Sequence, residues 1–505
     1  MKNSRFKSLL KNSDVISVRC LQWGDTGKGK LVHMLSDWAD IIVRPSGGNN
    51  AGHTVFLGDK AKVFHALPSA ISQDKYGKIN VLGSNMVLDP RALCEEIESL
   101  NSEGFSCDNM QISQEAKLIL PTQILEDRLK EFNFKNSKIG TTGKGIGPAY
   151  ADHVSRIGLT FNDLLNPDVF SQKLKKHLES KLPFFSYFDL FLLEDLFNAV
   201  DLDSGLYFDP KNIFNFETIF NSYLNYGEKL SSMIKDTESL VKENLHKKKI
   251  LLEGAQGLLL SIDYGTYPFV TSSDPSLEGM VKGAGLALSD VDMDIGIIKG
   301  FMQTRVGNGP FPTEMGAKHS QVFCANNTRE EEEKAYPGNL SINSKNEFLQ
   351  GIALRKIAGE YGATTKRLRR VGWLDLVLLR KALSSGAKNT YLALTKLDVL
   401  SGVDVIKVCV GYSYQGPDYY YGEKVFKSGD IIHSDIPMYS EFLDNCTPIY
   451  TDFKGWKEDI SKINSYTDLP QQLKLIIAFI ENYLNGNNET ILVSVGPKAD
   501  ETIFL

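Results

Sequence analysis

The stretch QWGDTGKGK, residues 22–30, carries residues that could bind a phosphate. Gly24, Gly29 and Lys30 reproduce the phosphate-loop spacing of Gly, four residues, Gly, Lys. That pattern calls next for a Ser or Thr to hold Mg2+, and Leu31 stands there instead. Asp25 lies inside the loop. A carboxylate there could ligate Mg2+, which takes hard oxygen ligands and few protein ones, or it could act as a base. Gly24, Gly27 and Gly29 allow the backbone close to an anion, and a helix is predicted to start near Lys28. Its N–H groups and positive end would then face that anion, with Lys28 and Lys30 adding charge. Without the hydroxyl, a plain turn explains this stretch about as well.

Four further stretches are candidates. SGGNNAGHTV, residues 46–55, reads as a polar loop rather than a core strand, and it delivers His53. A lone His is more often structural than catalytic, but a loop at a strand end raises the odds of function. TKLD, residues 395–398, follows an apolar run and resembles the guanine-reading NKxD element of GTP-binding proteins, with Thr395 in place of Asn. A carboxylate at Asp398 can accept from both the ring N–H and the exocyclic amine of guanine, a donor pair that adenine lacks. TTKRLRRVGW, residues 364–373, sets Arg367, Arg369 and Arg370 within four positions. Arginine forks grip carboxylates and phosphates, although an exposed basic turn is the plainer reading. GTTGKGIGPAY, residues 140–150, is a second Gly/Thr-rich anion cradle, with Arg156 shortly after.

These stretches need a scaffold that brings them together, and the pattern between them supplies one. VISVRCL (15–21), DIIVRPSGGNNAGH (40–53), KILLEGAQG (249–257), DIGIIKGF (294–301), NTYLALTKLD (389–398) and TILVSVGP (490–497) each pass from an apolar run into a polar or glycine-bearing loop. Continuous apolar runs suit strands buried on both faces of a parallel sheet. Helical periodicity lies between them, as in DLVLLRKALSSG (375–386). The expected fold is α/β: a single large domain with a mainly parallel central β-sheet flanked by helices, opening on a phosphate-loop-like strand, loop and helix. The polar loops leave the carboxyl ends of their strands, where ligands bind in such sheets.

Residues 1–14 read as a short solvated N-terminal tail and 15–505 as the domain. Three surface elaborations are expected near 183–212, 315–350 and 413–445, with the run of four Glu in the second read as a solvated face. The chain has 505 residues, 42% hydrophobic and 23% charged, and a net charge of −6, an ordinary globular composition. The mixed, slightly acidic balance argues against a nucleic-acid partner. Cys20, Cys94, Cys107, Cys324, Cys409 and Cys446 form no CxxC pair or zinc spacing and read as free thiols. No apolar run approaches the ~20 residues needed to cross a bilayer, and no secretory signal is evident. A cytoplasmic location is expected.

Taken together, the segments resemble the adenylosuccinate synthetase family. GDTGKGK stands where that family has Gly-Asp-Glu-Gly-Lys-Gly-Lys, and GGNNAGHTV, GTTGKGIGPAY, EGAQG, GTYPFVTSS, TRVGNGPFPTE, GATTKRLRR, GWLDLV and LTKLDVL follow in the family's order across residues 15 to 505. The resemblance implies ligation of L-aspartate to IMP, using GTP and Mg2+, through a 6-phosphoryl-IMP intermediate, by a homodimer. It implies that Asp25 takes the N1 proton of IMP, that His53 acts as acid toward the departing diphosphate, and that Lys28 assists catalysis. Asp25 and Gly52 would hold the metal. Asn50, Thr141, Thr142, Gln256 and Thr271 match IMP-binding positions, and Arg156 matches one contributed by the neighbouring subunit. Gly24, Gly27, Lys28, Gly29, Lys30, Lys396, Asp398, Ser494 and Gly496 match GTP positions; Thr365, Arg367 and Arg369 match those that grip aspartate. The sequence departs from the family at Thr26, His33, Ser261, Asn308, Lys366 and Leu368. Leu368→Arg is expected to be mild, because alternate residues of an extended loop point apart. The departures leave open the same chemistry on another purine nucleotide or amine donor. A non-catalytic nucleotide-binding paralog is the competing class, against which the retained Asp25, His53, Lys28, Arg367, Arg369 and Asp398 argue.

Overall fold

The six apolar runs are strands of one sheet in the computed structural model, which describes residues 3–57, 60–71, 77–133, 139–189, 215–362, 367–387 and 390–505. The opening strand Val15–Cys20 lies between Met293–Ile298 and Ile250–Glu253. Outward from Met293–Ile298 come Thr390–Leu394, Thr490–Ser494 and Thr502–Phe504. On the other side come Ile41–Gly48, Ile79–Leu88, Met110–Ser113 and Ile234–Lys235, with Lys117–Leu118 also paired to Ile79–Leu88. These pairings are parallel except for the edge strand Thr502–Phe504. All residues of Val15–Cys20, Ile250–Glu253 and Met293–Ile298 are buried, as expected of strands covered on both faces. The fold is the α/β architecture expected, and no described helix is long and apolar enough to cross a membrane.

Several local expectations need correction. Residues Asn3–Asn12 form a helix, not a solvated tail: Phe6 is buried and stacks on Phe504. Ser46, Gly47 and Gly48 are not loop but the buried end of the strand Ile41–Gly48. Gly47, at φ +94°, has no room for a side chain, since a Cβ would lie 2.7 Å from that of Ala255. The Glu run is not wholly solvated, because Glu332 is fully buried within the helix Arg329–Ala335. Leu368 is buried as well, so a charge there would be desolvated and the expected tolerance of arginine does not hold. All six cysteines are free and buried. Of the stretch 183–212, residues 190–212 lie outside the described residues.

Candidate active site

The cleft forms where parallel strands end. The opening strand runs into Gly24, at φ +88°, then Asp25, itself left-handed at φ +52°, then Gly27, which at φ +79° caps the helix Lys28–Leu35. Two glycines flanking a left-handed Asp make a turn that lifts the Asp25 carboxylate out of the sheet and leaves its side chain 35% exposed, partly desolvated. Burial raises the Asp25 pKa, but the guanidinium of Arg369 and the ammonium groups of Lys299 and Lys28 outweigh that and bring it down to about 2. Asp25 Oδ2 accepts from Arg369 Nε at 2.5 Å. The loop is pinned from behind, because Thr395 Oγ1 donates to the Thr26 carbonyl at 2.9 Å.

His53 begins the strand His53–Leu57, which pairs with Lys60–Phe64. Its Nδ1 lies 2.5 Å from Oε1 of Glu253, the last residue of the strand Ile250–Glu253. Glu253 also accepts from the hydroxyl of Ser69 at 2.5 Å and its backbone N–H at 2.8 Å. Burial lowers the His53 pKa, and the Glu253 carboxylate recovers only part of it, leaving about 4. Glu253 is held below its ordinary value: desolvation pushes it up, and its bond to His53 and the nearby Arg44 more than compensate. Sequence reasoning missed Glu253, although a carboxylate closing the apolar run KILLE, inside EGAQG, was the available signal.

Three of the residues matched to the purine site fall on one hydrogen-bonded chain. Gln256 Nε2 donates to Asn50 Oδ1 at 3.2 Å, Ser273 Oγ donates to Gln256 Oε1 at 2.9 Å, and the hydroxyls of Ser273 and Thr271 lie 3.0 Å apart. The loop carrying Thr141 and Thr142 joins them through Lys144, which donates to the Asn49 carbonyl at 2.8 Å. Thr142 is exposed. Lys28, also buried, donates to the carbonyl of Gln256 at 2.5 Å and so reaches the same group. Arg156 does not join it: it is exposed, at φ +63°, just beyond the helix Ile146–Val154.

The residues matched to the guanine site also converge. The strands Thr390–Leu394 and Thr490–Ser494 are parallel neighbours, so TKLD and the Ser494–Gly496 turn leave the sheet side by side. Lys30 enters from the opening helix and donates to Ser494 Oγ at 2.7 Å and to the Gly496 carbonyl at 2.6 Å. Burial lowers its pKa to about 8 against the opposing pull of Glu501, Asp398 and Asp500. Asp398 opens a short 3-10 turn, and burial raises its pKa.

Lys396, at φ +55°, turns away from the turn it belongs to. Its Nζ binds Glu360 Oε1 at 2.6 Å, while Lys299 Nζ binds Oε2 of the same carboxylate at 2.6 Å. Glu360 is buried and its backbone carbonyl accepts from the Arg369 N–H at 3.1 Å. It therefore sits between the lysine matched to the guanine site and the candidate aspartate loop, another residue that sequence reasoning missed. Gly362 N–H donates to the Arg367 carbonyl at 2.8 Å, and Tyr361 pairs with Leu368, so residues 360–369 have paired stems. Thr365 and Lys366 lie outside the described residues. Arg370 does not join the cleft group; it forms a buried pair with Glu314 at 2.5 Å.

A lone carboxylate on a strained loop suits Mg2+, which completes its shell with water and ligand phosphates. Asp25 stays ionised and exposed, so the residues present fit such an ion. Among the described residues no cluster of three or more His, Cys, Asp or Glu offers a fuller cage.

Comparison with known proteins shows the family. The family model described as adenylosuccinate synthetase matches residues 17–503. The chain is 40% identical to the adenylosuccinate synthetase of Thermodesulfovibrio yellowstonii over 485 residues, covering 96% of this chain and 97% of that one. It is 39% identical to that of Borrelia recurrentis over 484 residues, covering 96% of each. Among solved structures, fully ligated adenylosuccinate synthetase from Plasmodium falciparum superposes with a TM-score of 0.75 at 34% identity, covering 98% of this chain and all of that one. A cyanophage S-2L succinoaminodeoxyadenylate synthetase bound to dGMP and dATP shares the fold alone, with a TM-score of 0.51 at 16% identity over 97% of this chain and 95% of that one.

Proposed function

We propose, from the premise that this chain belongs to the adenylosuccinate synthetase family, how its cleft carries out the family's reaction. That reaction joins L-aspartate to IMP at the expense of GTP, a ligation that forms a C–N bond. The observation that carries the residue assignment is the convergence of Asp25, Lys28 and Lys30 with His53, Gln256, Arg369 and Asp398 on one sheet edge from five separated places in the chain.

The O6 of IMP in its neutral lactam form is a poor nucleophile. Asp25, ionised and exposed, takes the N1 proton and leaves negative charge on O6. A positioned base of this kind contributes about 10²–10⁴-fold. O6 attacks the γ-phosphorus, giving 6-phosphoryl-IMP and GDP, and His53 Nε2 delivers a proton to the departing diphosphate. The aspartate amine then displaces phosphate from C6. Asp25 and Gly52 would hold Mg2+, which when bound would supply charge neutralisation on the phosphates. Lys28 and Lys30 balance the remaining charge. Asn50, Gln256, Thr271, Thr141 and Thr142 hold IMP; Lys396, Asp398, Ser494 and Gly496 hold the guanine end of GTP; Thr365, Arg367 and Arg369 hold aspartate. The exposed Arg156 reaches the neighbouring active site in a homodimer. The protein acts in the cytoplasm.

The test is an assay of purified protein over IMP, dIMP, GMP and dGMP, each with L-aspartate and with other amino acids, following phosphate release and product mass. The expected result is release with IMP, GTP and aspartate and an adenylosuccinate product. Turnover with another purine or amine in preference to these would reassign the substrate. A sedimentation measurement giving only monomer would remove the role of Arg156.

A further inference from the structure

Glu332 is the one residue of the run Glu330–Glu333 that is fully buried; its three neighbours are exposed. A buried carboxylate is costly unless it is paired and hydrogen-bonded. Its Oε2 accepts from Arg355 Nε at 2.7 Å and forms an ion pair with the same guanidinium, and its Oε1 accepts from the Tyr361 hydroxyl at 3.0 Å. Arg355, itself buried, extends the connection: its Nη1 donates to the Arg369 carbonyl at 2.8 Å. One carboxylate thus holds Tyr361 on the incoming stem of the loop and, through Arg355, Arg369 on the outgoing stem. The same helix adds two contacts from its start. Thr328 pairs with Arg367 through the backbone, and the Arg329 guanidinium lies 4.8 Å from the Tyr361 ring centroid.

We propose that Glu332 is a positioning residue for the amino-acid substrate, clamping both stems of the 360–369 loop so that Arg367 and Arg369 are presented to a dicarboxylate at a fixed spacing. Against apolar packing of similar volume, a buried ion pair adds little net stability. What it does fix is direction: a carboxylate with both oxygens committed permits one relative placement of Tyr361 and Arg355. The polar segment that reads as a surface elaboration is on this account part of the amino-acid site, though none of its residues need touch the substrate. The inference rests on the reading that Arg367 and Arg369 grip aspartate.

Steady-state kinetics with each substrate varied in turn test both levels, on protein whose melting temperature is recorded. Tyr361→Phe removes only the hydroxyl and should raise the aspartate KM about 2- to 10-fold, the range of one neutral hydrogen bond. Glu332→Gln keeps an acceptor for Tyr361 but removes the charge facing Arg355 and should raise it about 10- to 100-fold, the range of a charge-assisted bond. The KM values for IMP and GTP should stay within about twofold, and Glu330→Gln, on the exposed face, should match the parent. If Arg369→Leu raises the aspartate KM while Tyr361→Phe and Glu332→Gln leave it at the parent value, the clamp is wrong and the loop reading stands. A parallel rise in all three KM values would mark a merely structural pair and also overturn the clamp. If Glu332→Gln does not fold, Tyr361→Phe decides alone. If Arg369→Leu leaves the aspartate KM unchanged, the loop reading fails and the inference falls with it.

Discussion

Replacing Glu253 by Gln tests the proton that His53 is proposed to deliver. The Glu253 carboxylate accepts from Ser69 twice and faces His53 Nδ1 at 2.5 Å. An ionised carboxylate cannot donate, so Nδ1 carries a proton and Nε2 is left as the second ring nitrogen. Nε2 then acts as an acid only as the imidazolium, which burial disfavours and the Glu253 carboxylate favours. Glutamine keeps one acceptor oxygen. If that oxygen stays on the Ser69 N–H, the amide NH2 faces Nδ1, which must now accept; the ring proton moves to Nε2 and the imidazolium meets a donor instead of a negative charge. Neutral imidazole is far too weak an acid to replace it. The turnover loss should approach the whole contribution of a general acid, about 10²–10⁴-fold in kcat, with KM for IMP and GTP little changed because Glu253 is fully buried and touches neither. Folding should lose about 1.5–3 kcal/mol, the range for hydrogen bonds to a charged group. Rapid-quench phosphate release at saturating substrates, beside thermal unfolding, reads both. A folded Glu253→Gln protein with kcat within about threefold of the parent would refute the claim that Glu253 sets the proton of His53.

Asp25→Asn should abolish turnover with the melting temperature preserved, since an amide neither takes the N1 proton nor ligates Mg2+ well; activity within a few-fold of the parent would move the base elsewhere. Asp398→Asn should weaken GTP and relatively favour xanthosine triphosphate, whose 2-oxo group can accept from the amide, as competition between the two donors would reveal; equal use of ATP and GTP by the parent would defeat the assignment. Lys30 is held at about 8 by burial against Glu501, Asp398 and Asp500. A bound triphosphate favours its charged form, so affinity is full below pH 8 and falls as pH rises through it. The KM for GTP should climb above about pH 8 in the parent and stay flat in Lys30→Arg, and a flat parent profile would separate Lys30 from the triphosphate.

How much of this was legible in the sequence depended on how local the signal was. Val15–Cys20, Ile250–Glu253 and Met293–Ile298 were readable because a strand buried on both faces must be continuously apolar. The convergence of TKLD with Ser494 and Gly496 followed from strand ends lying on one edge. The partners of the site residues were not readable. Glu253 lies 200 positions from His53, and nothing in KILLEGAQG says which side chain its carboxylate faces. Glu332 was concealed in a run whose average character is solvated, while burial is decided residue by residue on a helix. Leu368 looked tolerant because alternation in an extended loop says which residues point apart, not which side is covered. The N-terminal helix was missed because a short polar helix is marginal on its own, and here Phe6 anchors it on Phe504, nearly the whole chain away.

The cations proposed to meet the ligands are already engaged. Lys28 donates to the Gln256 carbonyl, Lys30 to Ser494 and Gly496, Lys396 to Glu360, and Arg369 to Asp25. Substrate binding at this cleft is therefore an exchange of partners, and its free energy is the difference between two sets of charge-assisted bonds rather than the sum of the new one. On the proposed roles the exchange would also have an order: Arg369 holds Oδ2 of Asp25, so an anion that draws Arg369 away would free that oxygen beside the purine N1. L-Aspartate is such an anion. On that reading, filling of the amino-acid site would loosen Arg369 from Asp25 and so tie deprotonation of IMP to the presence of the amine that must follow.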